Sequence, residues 1–414
     1  MRTICNSTGG LGTLAVPPGK SSSMVRSTIF WVHLVCGVAT GLVVLMMSVT
    51  GVILTYERQM LAWADKATYP APTPGALRLP LEELVEAAKL RRPELVPTTI
   101  GLRNEPDAPV VLGAGRSGQI LVDPYSGEVA DPGAQGLRSF FSAVTGWHRW
   151  FNATGESRAA ARAITGASNL AFLFLILSGM YLWLPRVWTW AAFKTRLLFN
   201  EKAATTKARD FSWHHVFGIW SAIPLAVVVA TATVFSYPWA NDLVYRVVGE
   251  QPPRAGGGAG GPQRGQPEAA AIAQSGTALD RLGYDALLAR AATHGEWRTL
   301  TLNIPSDPDA PIVRIGIDEG NGGQPHLRYN ITLDASTGAV ESYAPFSSQT
   351  TGQKARSWIR FLHTGEALGI AGQTVAGLVS FTSILMVWTG LALAYRRLLQ
   401  PLWRRRPATT TEAA

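Results

Sequence analysis

Only two cysteines, Cys5 and Cys36, occur in 414 residues, so a disulfide framework is excluded, and neither lies in the CxxCH context that tethers a haem covalently. The sequence also lacks HExxH, a P-loop, a strand-flanked G-x-G-x-x-G and a nucleophile elbow. Zinc proteolysis, nucleotide hydrolysis, dinucleotide binding and serine hydrolysis therefore have no local signature. The most informative absence is of charge. Residues 29–56, 163–184, 211–240 and 367–395 contain no Asp, Glu, Lys or Arg. A helix of about 20 apolar residues crosses a bilayer core of roughly 30 Å, and each segment has that length. Four core helices of a soluble protein account for this distribution less well than four membrane spans.

The charge that is present is distributed unevenly. The N-terminal flank, the loop at 186–210 and the C-terminal tail hold fourteen basic and three acidic residues. The two long connections are close to neutral, so the whole net charge of +9 belongs to the short flanks. By the positive-inside rule these flanks face the cytoplasm with both termini, and the long connections lie outside. Basic residues beside an anionic leaflet need no nucleic-acid partner. The first run is too long for a signal-peptide core and has no clear cleavage site, so it reads as an uncleaved span.

The chain repeats itself. Each half runs span, external unit, span. Helical stretches LEELVEAAKLRR (81–92) and YDALLARAA (284–292) open the two external units, and ILVDPYSGEV (120–129) and ITLDASTGAV (331–340) each carry a D-x-x-[ST]-G turn between alternating strands. The fold class is thus a membrane four-helix bundle, all-α in its membrane part, with two small external α+β domains. The expected layout is a disordered tail (1–25, with translation starting at Met1 or Met24) and span one (26–56). An external domain (57–147), an interfacial segment with span two (148–185) and a cytoplasmic loop (186–210) follow. The second half is span three (211–240), a Gly/Pro-rich linker (241–277), a second external domain (278–352), an interfacial segment with span four (353–395) and a basic tail (396–414).

Five of seven histidines fall at span ends, whereas His294 and His326 read as solvated side chains of the external units. His33 precedes Gly37 by four residues, and His214 precedes Gly218 by four; Thr50-Gly51 and Thr231-Ala232 then share one offset from these histidines. His148 precedes span two and His363 precedes span four, and those spans end alike in Ser178-Gly179 and Thr389-Gly390. The duplication thus places one histidine per half at each face. Two histidines per face, on different helices of a bundle, is the layout for two non-covalent haems with bis-imidazole ligation, haem b, with Gly37 and Gly218 leaving room for the macrocycle. His215 is the alternative to His214, but it lacks the spacing to glycine. Interfacial belt histidines are the competing reading, and zinc has no Cys or carboxylate to complete a site. Met180 and Met386 read as packing residues.

A span opening on His-x-x-x-Gly, an external D-x-x-[ST]-G unit, then GWHRWF or LHTGEALG, and a span ending near Pro-Arg or Arg-Arg resembles the PepSY-associated transmembrane helix family from Arg26 to Arg406. The resemblance implies that both external units are PepSY-like and that the protein is a multi-pass protein of a bacterial inner membrane with periplasmic loops. It also implies similarity to di-haem reductases that release iron from ferric siderophores, with His33, His148, His214 and His363 at the family's histidine positions. His215 departs from it, since relatives place Arg there. With no flavin- or nicotinamide-binding domain in this chain, the implied donor is a cytoplasmic reductase or a quinol, and a siderophore transporter is an implied partner. Two further functions stay open: a non-catalytic scaffold binding periplasmic peptides or a transporter, and a b-type cytochrome that reduces a periplasmic protein.

Overall fold

A computed structural model describes residues 20–67, 76–115, 118–130, 135–253, 281–307 and 309–401. Helix α1 (Lys20–Leu54) runs through the first apolar segment into α2 (Glu57–Lys66). Then follow α3 (Leu81–Arg91), β1 (Thr99–Arg103), β2 (Val110–Gly113), β3 (Gln119–Val122), β4 (Val129–Ala130), α4 (Gln135–Trp150) and α5 (Ser157–Trp183). Helix α6 (Trp190–Leu197) joins the halves. The second half repeats the order with α7 (Thr206–Ser236), α8 (Pro238–Val247), α9 (Tyr284–Ala292), β5 (Thr299–Asn303), β6 (Ile312–Asp318), β7 (Arg328–Asp334), β8 (Val340–Ala344), α10 (Thr351–His363) and α11 (Gly369–Leu398).

The four long apolar helices α1, α5, α7 and α11 pack as a closed ring in which each touches two neighbours, α1 opposite α7 and α5 opposite α11. Their burial is inverted relative to a soluble core. Leu42, Ile223 and Trp388 are exposed on the outside of the ring, whereas Ser48, Asn169 and Ser383 are buried within it. Lipid solvates apolar side chains, so the small polar residues make the helix contacts. The Asn169 amide on α5 donates to the Val229 carbonyl and to Thr233 Oγ1 on α7, both at 3.0 Å. Ser383 on α11 bonds Ser48 on α1. The four helices have the length and composition of membrane spans.

The strands form one eight-stranded sheet at the end of the bundle where α1 and α7 finish, in the order β4-β3-β2-β1-β5-β6-β7-β8. The sequence suggests two separate α+β units; the structure joins them. Strands β1 and β5 pair antiparallel with Ile100 opposite Leu302, and both side chains are fully buried. A lone four-stranded unit would leave that strand an open edge, and pairing the halves removes two edges at once. Helices α3 and α9 cover one face through Leu84, Val85, Leu287 and Leu288. They also cap each other: the Leu81 amide donates to Asp285 at 2.7 Å, and the Tyr284 amide donates to Glu82. Both D-x-x-[ST]-G turns form as the sequence suggests, with Gly127 and Gly338 at φ of 69° and 68°.

Several boundaries shift. Residues 20–25, read as part of a disordered tail, lie in α1, and residues 1–19 fall outside the described residues. The linker expected at 241–277 begins instead as helix: Pro238, lacking an amide to donate, starts α8, and the glycine-rich 254–280 lies outside the described residues. His148 and His363 stand in the last turns of α4 and α10, so the expected breaks at 148 and 353 cut through continuous helices.

Candidate functional site

The four repeated histidines make the same contact four times. His33 Nδ1 on α1 lies 2.8 Å from Ser178 Oγ on α5, and His214 Nδ1 on α7 lies 3.1 Å from Thr389 Oγ1 on α11. At the sheet end, His148 Nδ1 lies 2.9 Å from Thr50 Oγ1 on α1. His363 Nδ1 lies 3.3 Å from Thr231 Oγ1 and 2.9 Å from the Val228 carbonyl on α7. Thr50 stands seventeen residues after His33, and Thr231 seventeen after His214. At 1.5 Å per residue the two histidine levels are about 25 Å apart along the bundle, close to the thickness of a bilayer core.

The hydroxyls fix the tautomer. Each of them donates its single hydrogen to a carbonyl one turn back in its own helix: Ser178 to Phe174, Thr389 to Leu385, Thr50 to Met46 and Thr231 to Val227. What remains on each oxygen is a lone pair, so each hydroxyl accepts from Nδ1–H. The Val228 carbonyl, which can only accept, says the same of His363. All four imidazoles therefore carry their proton on Nδ1 and hold Nε2 as a bare lone pair. No hydrogen bond from a described residue reaches any of these Nε2 atoms. This is the state in which a neutral imidazole ligates a metal, with its other nitrogen anchored by a hydrogen bond.

The sheet-end pair faces across the ring. His148 is anchored to α1 and His363 to α7, on opposite walls, and their ring centres are 6.4 Å apart. Two imidazoles bound to one metal, with nitrogen–metal bonds of about 2.0 Å and ring centres about 1.15 Å beyond each nitrogen, stand about 6.3 Å apart. At the other end His33 and His214 project from the same two opposed helices. All four are imidazole nitrogen donors, one pair at each end of the bundle, a donor set that suits bis-imidazole haem. Each half supplies its own histidines and its own hydroxyls, and within this set the halves meet where His148 stands beside His363.

The glycines are redistributed. The sequence marks Gly37 and Gly218 as room beside the imidazoles, but a Cβ at Gly37 would meet Leu175 at 3.9 Å, and one at Gly218 would meet Met386 at 3.3 Å. The histidine rings lie instead on Gly179, Gly390 and Gly51. A Cβ there would come within 3.4, 3.3 and 3.6 Å of the Cε1 atoms of His33, His214 and His148. Each of these glycines follows the Ser or Thr that holds the ring. The repeated Ser-Gly and Thr-Gly pairs were legible as matched positions in the two halves, whereas their contact with the histidines was not.

The other histidines differ from these four. His215 bonds the Phe211 carbonyl of its own helix at 2.8 Å and lies on the Phe211 ring, with no hydroxyl from another helix. His326, read as a solvated side chain, stacks flat on Trp358 with ring centres 5.4 Å apart and ties the sheet to α10. The LHTGEALG stretch is the hinge between α10 and α11: Gly365 and Gly369 take φ of 76° and 65°, and Glu366 binds Arg58 at 2.9 Å. A family model described as PepSY-associated TM region matches residues 30–397. No curated protein matches the chain.

Proposed function

The chain belongs to the PepSY-associated TM family, and from that membership and the histidine geometry we propose that it is a di-haem electron conduit that reduces ferric iron complexes across a membrane. In this reading His33 with His214, and His148 with His363, would hold the iron of two non-covalent haems. Bound haem supplies a carrier that takes up and gives up one electron at a time. The protein's own part is to hold four Nε2 lone pairs in place through Ser178, Thr389, Thr50 and Thr231, and to keep water from the ring interior. The basic flanks set the orientation, with the sheet on the periplasmic side of a bacterial inner membrane.

The electrons come from a quinol or a cytoplasmic flavoprotein at the His33 and His214 end. One quinol gives two electrons and two protons, and reduces two Fe(III) to two Fe(II) at the sheet end. Oxygen-donor chelators hold hard Fe(III) more tightly than Fe(II), so each electron loosens one complex. A siderophore fits the chemistry of such an acceptor.

The carrying observation is the fourfold Nδ1 contact, which belt histidines at a lipid interface have no reason to repeat. The purified protein is expected to show dithionite-reducible b-type bands with about two haems per chain. Replacing His148 or His363 by Ala is expected to remove one haem and leave the other. A wild-type protein without these bands would overturn the reading. A second reading, a scaffold that captures extended peptides, rests on β8, an edge strand exposed along its whole length and open to strand addition. Peptide binding by a protein without haem bands would favour it.

A further inference from the structure

Beside the His148 and His363 pair, guanidiniums gather without carboxylates. The Arg149 guanidinium carbon on α4 lies 4.8 Å from the centre of the Trp150 ring, and that of Arg158, on the first turn of α5, lies 4.0 Å from the same ring. Two like charges thus share one indole. Arg162 stands one turn further along α5. From the facing side α10 brings Arg360 and, one turn earlier, Arg356, whose guanidinium lies 4.9 Å from the Phe235 ring that also packs on His363. Two other arginines at this end are paired, Arg58 with Glu366 and Arg138 with Asp65. Among the described residues none of these five has a carboxylate within ion-pair distance, and Arg356 bonds only the neutral Asn241 amide oxygen, at 2.8 Å.

Five unneutralised guanidiniums repel one another, and an anion relieves that repulsion. Their planar forks suit carboxylates in particular, which they bind with two parallel hydrogen bonds. Two haem propionates would answer only two of the five charges, and Arg149, Arg158, Arg162 and Arg360 are exposed. We propose that Arg149, Arg158, Arg162 and Arg360 form a docking site for an anionic, carboxylate-bearing ferric chelate directly over the His148 and His363 pair. This rests on the electron-conduit reading for its purpose, but not for its test. The Trp150 ring beside Arg149 and Arg158 and the Phe361 ring beside Arg360 restrict these guanidiniums in the absence of ligand, so less ordering is needed on binding.

The test is equilibrium binding to the oxidised full-length protein in phosphatidylcholine nanodiscs, where no lipid carries net charge and no electron is transferred. The probes are Fe(III)–citrate, which is anionic, and tris(acetohydroxamato)iron(III), which is neutral. Fe(III)–citrate is expected to bind wild type with an affinity that falls as salt rises. The triple variant Arg149→Gln, Arg158→Gln, Arg162→Gln is expected to lose at least tenfold of it, while the corresponding triple Lys variant retains part and binding of the neutral chelate stays unchanged. Arg360→Gln alone, on a different helix, tests the same site should the triple variant fail to assemble. Undiminished citrate binding in the Gln variants, or equal losses for both chelates, would overturn the proposal. So would a loss that follows the disappearance of one haem, because the arginines would then be propionate clamps. Arginine-dependent citrate binding by a wild type without haem bands would sink the conduit reading and leave this site standing.

Discussion

At the residue scale the decisive feature is a proton position. A serine or threonine inside a helix in lipid has a default partner, the carbonyl one turn back, and once that bond forms its oxygen can only accept. Ser178, Thr389, Thr50 and Thr231 all make it, which orients four imidazoles without any carboxylate. A neutral acceptor on Nδ1–H raises the basicity of Nε2 modestly, and a more basic ligand favours the ferric state. Thr389→Val keeps the shape of the side chain and removes the acceptor. If the di-haem reading holds, it is expected to raise the midpoint potential of the haem held by His214 by about 20–60 mV, the equivalent of one hydrogen bond of about 0.5–1.5 kcal/mol, in a spectroelectrochemical titration. An unchanged potential would mean that the hydroxyl does not act on the ligand.

At the scale of elements, the two halves build equivalent features with different residues. The turn after α4 puts Phe151 and Asn152 at positive φ, both 54°, where the second half uses Gly365. The two D-x-x-[ST]-G turns differ in the same way. Asp123 Oδ1 accepts from the amides of Tyr125 and Ser126, whereas Asp334 Oδ1 accepts from two amides and from the hydroxyls of Ser336 and Thr337. The Ser336 hydroxyl first, then Thr337, draw the Asp334 pKa down from 3.8 to about 2. A depressed carboxylate stabilises the fold above its unfolded pKa and loses that contribution as pH falls through the folded one. Relative to wild type, Asp334→Ala is therefore expected to be less stable at pH 5, with the difference closing between about pH 4 and pH 2 in urea titrations. A gap that does not shrink as pH falls from about 4 to 2 would show that the turn owes its stability to something other than the ionised carboxylate.

For the molecule as a whole, the seam between the halves matters most. The continuous sheet makes the two extramembrane units one cooperative body, and the ring of helices does the same below it. Leu302→Ala, at the seam and fully buried, is expected to destabilise the sheet by about 2–5 kcal/mol. Hydrogen exchange should then show β3 and β6 losing protection together, although they belong to different halves. Loss confined to β5 and β6 would mean that the halves unfold independently. Basic residues near the far end also hold the bundle together: Arg26 donates to the Leu184 carbonyl at 2.8 Å, closing the end of α5, and Arg396 binds the buried Asp210 at 2.6 Å.

The sequence by itself determined the four apolar helices, the duplication, the hairpin turns and the matched placing of His33, His148, His214 and His363 in the two halves. These follow from local quantities, namely the length of an uncharged run, the spacing of one residue from another and the φ that a glycine permits. Tertiary structure alone decided that the two external units share one sheet, that His33 and His148 rest on Ser178 and Thr50, and that five arginines meet with no carboxylate among them. Those are contacts between residues up to about two hundred positions apart, and they depend on which helix faces break their contact with lipid to meet each other. A serine that reads in sequence as one more small residue of a span becomes the acceptor that orients an imidazole only when the packing puts one beside it.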